Sequence, residues 1–199
     1  MIKFITTLLA LFMFSTSYAK EVKVGIILGF TGPIESLTPG MAAGAELAFN
    51  EASDSGALLG GSTVSSIRAD STCIDSAAAA SAAEFLISQG VTAIMGADCS
   101  GVTGAVLSNV AVPNGVPMIS PSATSPALTT AEDNGLFFRT APSDARGGEV
   151  LADITNDRGI TSVAITYVNT DYGVGLADVY EAAANARGIE VTAKTAHEG

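Results

Sequence analysis

Apolar residues along this chain fall into short runs, each separated from the next by a stretch of helical periodicity. Val22–Leu28 (VKVGIIL), Val91–Met95, Val116–Ile119, Leu136–Thr140 and Ser162–Val168 (SVAITYV) are runs of strand length, several bounded by glycine. Continuous apolar character of that length suits strands covered on both faces. Thr63–Ala69, rich in serine, and Ile189–Ala193 are weaker runs of the same kind. Between them lie the helices. Thr38-Pro39 reads as N-cap and first helical residue of a helix with Met41, Ala45, Leu47, Ala48 and Ala52 toward the sheet, ending near Gly56. Asp75 caps SAAAASAAEFLISQ, which Gly90 ends. Val102, Val106 and Val110 share one side of a third helix. Ser143 caps a fourth, with Val150, Leu151 and Ile154 as its apolar positions. Val174–Arg187, closed by Gly188, is the fifth. Alternating strands and helices predict an α/β fold with parallel sheet and right-handed crossovers. Two sheets fit the spacing better than one long sheet, with the boundary at Thr140–Ser143.

Candidate chemistry gathers where strands end. Val91–Met95 runs into Gly96-Ala97-Asp98-Cys99-Ser100, and Val116–Ile119 into Ser120-Pro121-Ser122-Ala123-Thr124-Ser125. Both loops bring hydroxyls and unpaired backbone N–H groups to one edge of the sheet, where open α/β sheets bind ligands. Helix starts there favour an anion. The pattern predicts a site for a small molecule that is negatively charged at one end. Ser100 as a plain N-cap and Tyr172 as a surface aromatic are the bland alternatives, and Asp171 reads as the cap of the fifth helix.

Composition narrows the classes. With 48% hydrophobic and 15% charged residues the chain can bury a sizeable core. Its 20 acidic against 9 basic residues, net charge -11, disfavour a nucleic-acid partner, which would need clustered Lys and Arg. No GxGxxG follows the first strand and no phosphate-binding GxxxxGK[ST] occurs, so no nucleotide cofactor is expected. A GxSxG elbow is also missing, and the one histidine, His197, is terminal, so neither a catalytic triad nor a metal site is expected.

Residues 1–19 (MIKFITTLLALFMFSTSYA) read as a secretory signal. Lys3 supplies the positive start, Ile5–Phe14 an apolar core too short to span a bilayer, and Ser17-Tyr18-Ala19 a cleavage pattern. Export makes a disulfide the leading reading for Cys73 and Cys99, with two buried thiols as the alternative.

Five motifs then carry a resemblance. GIILGFTGP, GADCSG, MISPSATSPALT, FFRTAPSD and NTDYGVG, in this order and spacing, resemble the type I periplasmic binding proteins, in particular the branched-chain amino-acid receptors of ABC importers. The resemblance implies two α/β lobes closing on a ligand, with residues 20–141 the N-terminal lobe and 142–199 the start of the second. A pattern that stops just after a strand, with no helix to cover it, is also what a C-terminally truncated fragment would show. The resemblance further implies that Ser100 binds the ligand's α-carboxylate, that Thr124 binds both its carboxylate and its ammonium, that Ser122 and Ala123 add main-chain contacts, that Tyr172 closes from the second lobe, and that Cys73 pairs with Cys99. The acidic partner of a ligand ammonium is expected beyond Gly199, and the side-chain pocket matches only to Gly32-Pro33. The implied function is a periplasmic, non-enzymatic receptor that delivers an amino acid or related small carboxylate to ABC permease subunits, without cofactor or nucleic acid. The alternative is the ligand-sensing domain of a signalling system with the same fold.

Overall fold

The computed structural model describes residues 20–198; the signal segment expected over residues 1–19 lies outside them. Seven strands and five principal helices follow in order: β1 Glu21–Leu28, α1 Thr38–Asp54, β2 Thr63–Asp70, α2 Ser76–Ser88, β3 Ala93–Gly96, α3 Ser100–Val106, β4 Met118–Ser120, β5 Phe137–Arg139, α4 Asp144–Asp157, β6 Ser162–Val168, α5 Asp171–Ala186 and β7 Glu190–His197. A π-helical turn, Leu107–Ala111, prolongs α3. The strands form two sheets, one of order β2-β1-β3-β4-β5 and one of β6-β7, and every pairing is parallel. The first sheet ends with β5 at Arg139 and the second begins with β6 at Ser162, with α4 between them.

The first sheet is covered unequally. On one face α2 and α3 bury Ile27, Ile94, Leu86, Val102, Val106, Val110 and Met118, forming the main core. On the other, α1 packs Ala42 against Ile26 and Leu28, with Met41, Ala45 and Phe49 around them. That face of α1 differs from the expected one: Leu47 is 58% exposed and Ala48 is exposed, while Ala42 and Phe49 turn inward. In an alanine-rich helix many rotations bury similar area, and contact with β1 and β2 selects one. Thr38 is not the N-cap. It is the first helical residue, buried, and its hydroxyl donates to the Gly29 carbonyl at 3.0 Å. Asp75, by contrast, accepts from the N–H groups of Ala77 and Ala78, as its position predicts.

β3 passes so close to β1 that no side chain fits at Gly96. A Cβ there would lie 2.0 Å from the Ile27 carbonyl oxygen, and its φ of 128° is open only to glycine.

In the second sheet β6 pairs, among the described residues, with β7 alone, and it carries only exposed and half-buried positions, so it is not the fully buried strand expected. α5 packs on this sheet, and α4 lies against α5 through Gly148, Ala152 and Thr155. The apolar trio Val150, Leu151 and Ile154 is left 39–50% exposed. Small residues let the two helix backbones approach, and that contact sets α4's rotation rather than its largest apolar side chains. No described helix is long and apolar enough to cross a membrane.

Candidate functional site

β1 runs between β2 and β3, so the chain leaves it once to each side. The crevice beyond the carboxyl ends of these strands is the switch point of the sheet. Four loops meet there, and a buried carboxylate ties three of them. Asp98, 2% exposed, accepts from Gly29 N–H (2.6 Å), Ser71 Oγ (3.1 Å) and Cys99 N–H (2.9 Å). Cys73 and Cys99 are joined by a disulfide, which spans β1 from the end of β2 to the start of α3.

A second carboxylate organises the outer loop. Asp70, at the end of β2, accepts from Thr31 Oγ1 (2.6 Å), Thr31 N–H and Thr72 N–H. Burial pushes the Asp70 carboxyl up, but these hydrogen bonds outweigh it and hold it below its ordinary value. A carboxyl depressed in the folded state stabilises above its unfolded pKa, and that stability is lost as pH falls through the folded one. Asp70→Asn is therefore expected to lower the unfolding midpoint at pH 7, with the difference from the parent shrinking below about pH 4. Urea unfolding from pH 3 to 7 measures this; a difference independent of pH would contradict it.

The loop after β4 is built from within. Ser120, fully buried, donates to the Ala97 carbonyl and accepts from the N–H groups of Ser122 and Ala123. Arg139 from β5 donates to the carbonyls of Ala123 and Ser125 and to Thr129 Oγ1. Ser122 Oγ donates to the Asp98 carbonyl, joining this loop to the previous one.

Between these loops and the start of α5 lies a cleft of about 1020 Å³. Ser100, Ser122 and Thr124 line it from the first sheet, and Asp144, Asp171 and Tyr172 from the elements that follow. Pro33, Ile34, Leu37, Met41 and Ile74 form an apolar side. Ser100 is not the N-cap of α3; Cys99 holds that position without a side-chain cap. Among the described residues no acceptor meets the N–H groups of Ser100, Gly101 and Val102, the unpaired donors of a helix start. Ser100 is 4% exposed, and its hydroxyl accepts from Ser125 N–H (3.1 Å), which leaves its proton to give.

Ala123 stands apart from the other expected contacts. It is fully buried behind the wall, and the cleft is lined without it. Tyr172, 44% exposed, faces the cleft at the start of α5. The cap of that helix is Thr170, whose Oγ1 accepts from Gly173 N–H, and not Asp171, which is the first helical residue. A Cβ on Gly173 would lie 2.1 Å from the Val168 carbonyl oxygen, so glycine lets α5 start directly on the end of β6. Sequence reasoning missed Asp144, Asp98 and Ser120. Asp98 and Ser120 at least stood in the two flagged loops. Asp144 carried no local signal, since its partner Thr124 is 20 residues away.

Residues 21–199 match the family described as periplasmic binding protein. The chain is 33% identical to the Leu/Ile/Val-binding protein homolog 3 of Brucella melitensis over 178 residues, 88% of this chain and 46% of that protein. It is 33% identical to the Leu/Ile/Val-binding protein BraC3 of Rhizobium johnstonii, covering 92% of this chain and 49% of the relative. Among solved structures, the ABC transporter substrate-binding protein of Desulfitobacterium hafniense in complex with Leu superposes with a TM-score of 0.72 at 29% identity, covering 90% of this chain and 52% of that one. The chain thus spans about half the length of the curated relatives it matches.

Proposed function

The chain belongs to the periplasmic binding protein family, and from that premise we propose that it is the receptor of an ABC importer, binding an amino acid or related small carboxylate. Residues 20–141 and 142–199 then belong to two lobes with the ligand between them, residues 1–19 direct export to the periplasm, and the permease subunits take up the delivered solute. It catalyses no reaction. The observation that carries this reading is the cleft itself: among the described residues the N–H groups of Ser100, Gly101 and Val102 meet no acceptor, and Tyr172 lines the same cleft.

The ligand carboxylate takes the Ser100 hydroxyl and the free N–H groups at the start of α3. Its apolar part lies toward Ile34, Leu37, Met41 and Ile74, and Tyr172 covers it from the second lobe. Hydrogen bonds to charged groups contribute about 1.5–3 kcal/mol each, so no lysine or arginine is needed.

Titration calorimetry with leucine, isoleucine, valine and short aliphatic carboxylates tests the proposal. Thr124→Ala is expected to weaken the best of these ligands roughly ten- to hundredfold. Failure of every one to bind at millimolar concentration would refute the reading, and an unchanged affinity in Thr124→Ala would remove this loop from the site.

A further inference from the structure

Two Asn-Gly pairs occur in the sequence, Asn114-Gly115 and Asn134-Gly135. Asparagine before glycine is chemically labile, because the glycine nitrogen can attack the side-chain amide carbon and no Cβ hinders its approach. The fold treats the two pairs differently. Asn114 lies just after the π-helical turn that prolongs α3. Its Nδ2 donates to the Val110 carbonyl at 2.8 Å, and the Gly115 N–H donates to the Val112 carbonyl at 3.1 Å. Pro113 and Pro117 stiffen the chain on either side. Both reacting groups are held on backbone carbonyls.

Asn134 is the opposite case. It is exposed, and among the described residues its side-chain amide has no hydrogen-bond partner. With Gly135 it forms the tip of a tight turn, closed by Leu136 N–H on the Asp133 carbonyl at 2.9 Å. Both tip residues have positive φ, 52° and 74°, as a type I′ turn requires. The Asp133 carboxylate reaches across this turn: Oδ1 accepts from Gly135 N–H at 2.8 Å and Oδ2 from Phe137 N–H at 3.2 Å. A base therefore sits on the attacking nitrogen, and the amide carbon is free to swing toward it.

We propose that Asn134 is a site of spontaneous modification, converted through a cyclic imide to aspartyl and isoaspartyl forms in preference to Asn114. The Gly135 nitrogen forms a bond to Asn134 Cγ as its proton passes to Asp133 Oδ1. The Cγ–Nδ2 bond then breaks, that proton leaves with the amide nitrogen as ammonia, and a five-membered imide remains. Water opens the imide at either carbonyl. Opening at the side-chain carbonyl gives aspartate; opening at the main-chain carbonyl leaves the chain running through Cγ, one methylene longer. Water is the only co-reactant, and nothing is oxidised or reduced.

The isoaspartyl form disturbs what the turn supports. Met118 N–H donates to the Leu136 carbonyl at 2.8 Å, and Phe137 pairs with Met118 to dock β5. Arg139 of β5 in turn holds the carbonyls of Ala123 and Ser125. The added methylene lengthens the turn from within, and the new charge stands beside Glu132 and Asp133 in a chain already at -11. β5 has three residues and lies at the end of its sheet, so few bonds resist the change.

The test is to incubate the purified protein for several weeks at mildly alkaline pH, digest it and map it by mass spectrometry. Conversion is read at each asparagine from fragment ions, as a gain of about 1 Da when amide becomes acid. Asn134 is expected to convert at least about tenfold faster than Asn114, whose ring closure must first release two hydrogen bonds to carbonyls. Hydroxylamine, which cleaves the chain at the imide, should cut between Asn134 and Gly135. In urea the isoaspartyl fraction is expected to unfold at a lower concentration than the variant Asn134→Asp, which carries the charge without the extra methylene. Conversion of Asn134 no faster than that of Asn114 would overturn the inference, since the two pairs share one sequence chemistry and only the fold distinguishes them. A midpoint no lower than that of the variant would overturn the link to β5.

Discussion

Replacing Cys73 and Cys99 together by serine is expected to lower the unfolding free energy by about 3.5 kcal/mol. The bond closes a loop of 26 residues, and in the chain-entropy model a loop of that size contributes about this much by restricting the unfolded chain. Against the roughly 5–15 kcal/mol of an ordinary domain this is a large fraction. The loop it closes contains α2 and β3, and the bond clamps the ends of β2 and β3 around Gly29 and Asp98, so local loosening of the ligand edge should accompany the global loss. Urea unfolding of parent and double variant measures the difference. Intact mass should rise by about two hydrogens on reduction, with no alkylation before it. Free thiols in protein recovered from an oxidising compartment would contradict the pairing.

Gly96→Ala should cost more, about 4–5 kcal/mol, at the upper end of single substitutions. Two costs coincide at this residue. Its φ of 128° is a conformation that residues with a Cβ rarely adopt. The added carbon would also lie 2.0 Å from the Ile27 carbonyl oxygen and 2.8 Å from Ile27 Cγ2, in the middle of the sheet. Backbone cannot give way there as a flexible side chain would, because Ile27 pairs with Ala69 of β2 on its other side. Relief requires β3 to move off β1, and β3 carries the Asp98–Ser100 loop with it. Thermal unfolding of the variant, expected near or below ambient temperature, checks the cost. A midpoint within a few degrees of the parent would mean that the strands separate easily.

The alternation of apolar runs and helical stretches determined the order of strands and helices, the parallel pairing and the change of sheet after Arg139. These features follow from burial periodicity and end signals, which are local: Asp75, Gly90, Ser143 and Gly188 stop or start helices through atoms a few residues away. The two polar loops after β3 and β4 were legible for the same reason, since strand ends at a sheet's carboxyl edge are where open α/β sheets place ligands.

Other properties depended on contacts distant in sequence, and only the tertiary structure decided them. The inner face of α1 turned from Leu47 and Ala48 to Ala42 and Phe49 because alanine carries little information about rotation. Val150, Leu151 and Ile154 stayed exposed because Gly148 and Ala152 let α4 lie close on α5. The cap of α5 moved from Asp171 to Thr170, a choice between adjacent polar residues made by the turn leaving β6. The site shows the division most clearly. That Ser100 and Thr124 are hydroxyls is written in the chain. That Ser100 accepts a hydrogen bond while Thr124 donates one depends on Ser125 and Asp144, 25 and 20 residues away, since a hydroxyl takes its direction from whichever partner folding places beside it.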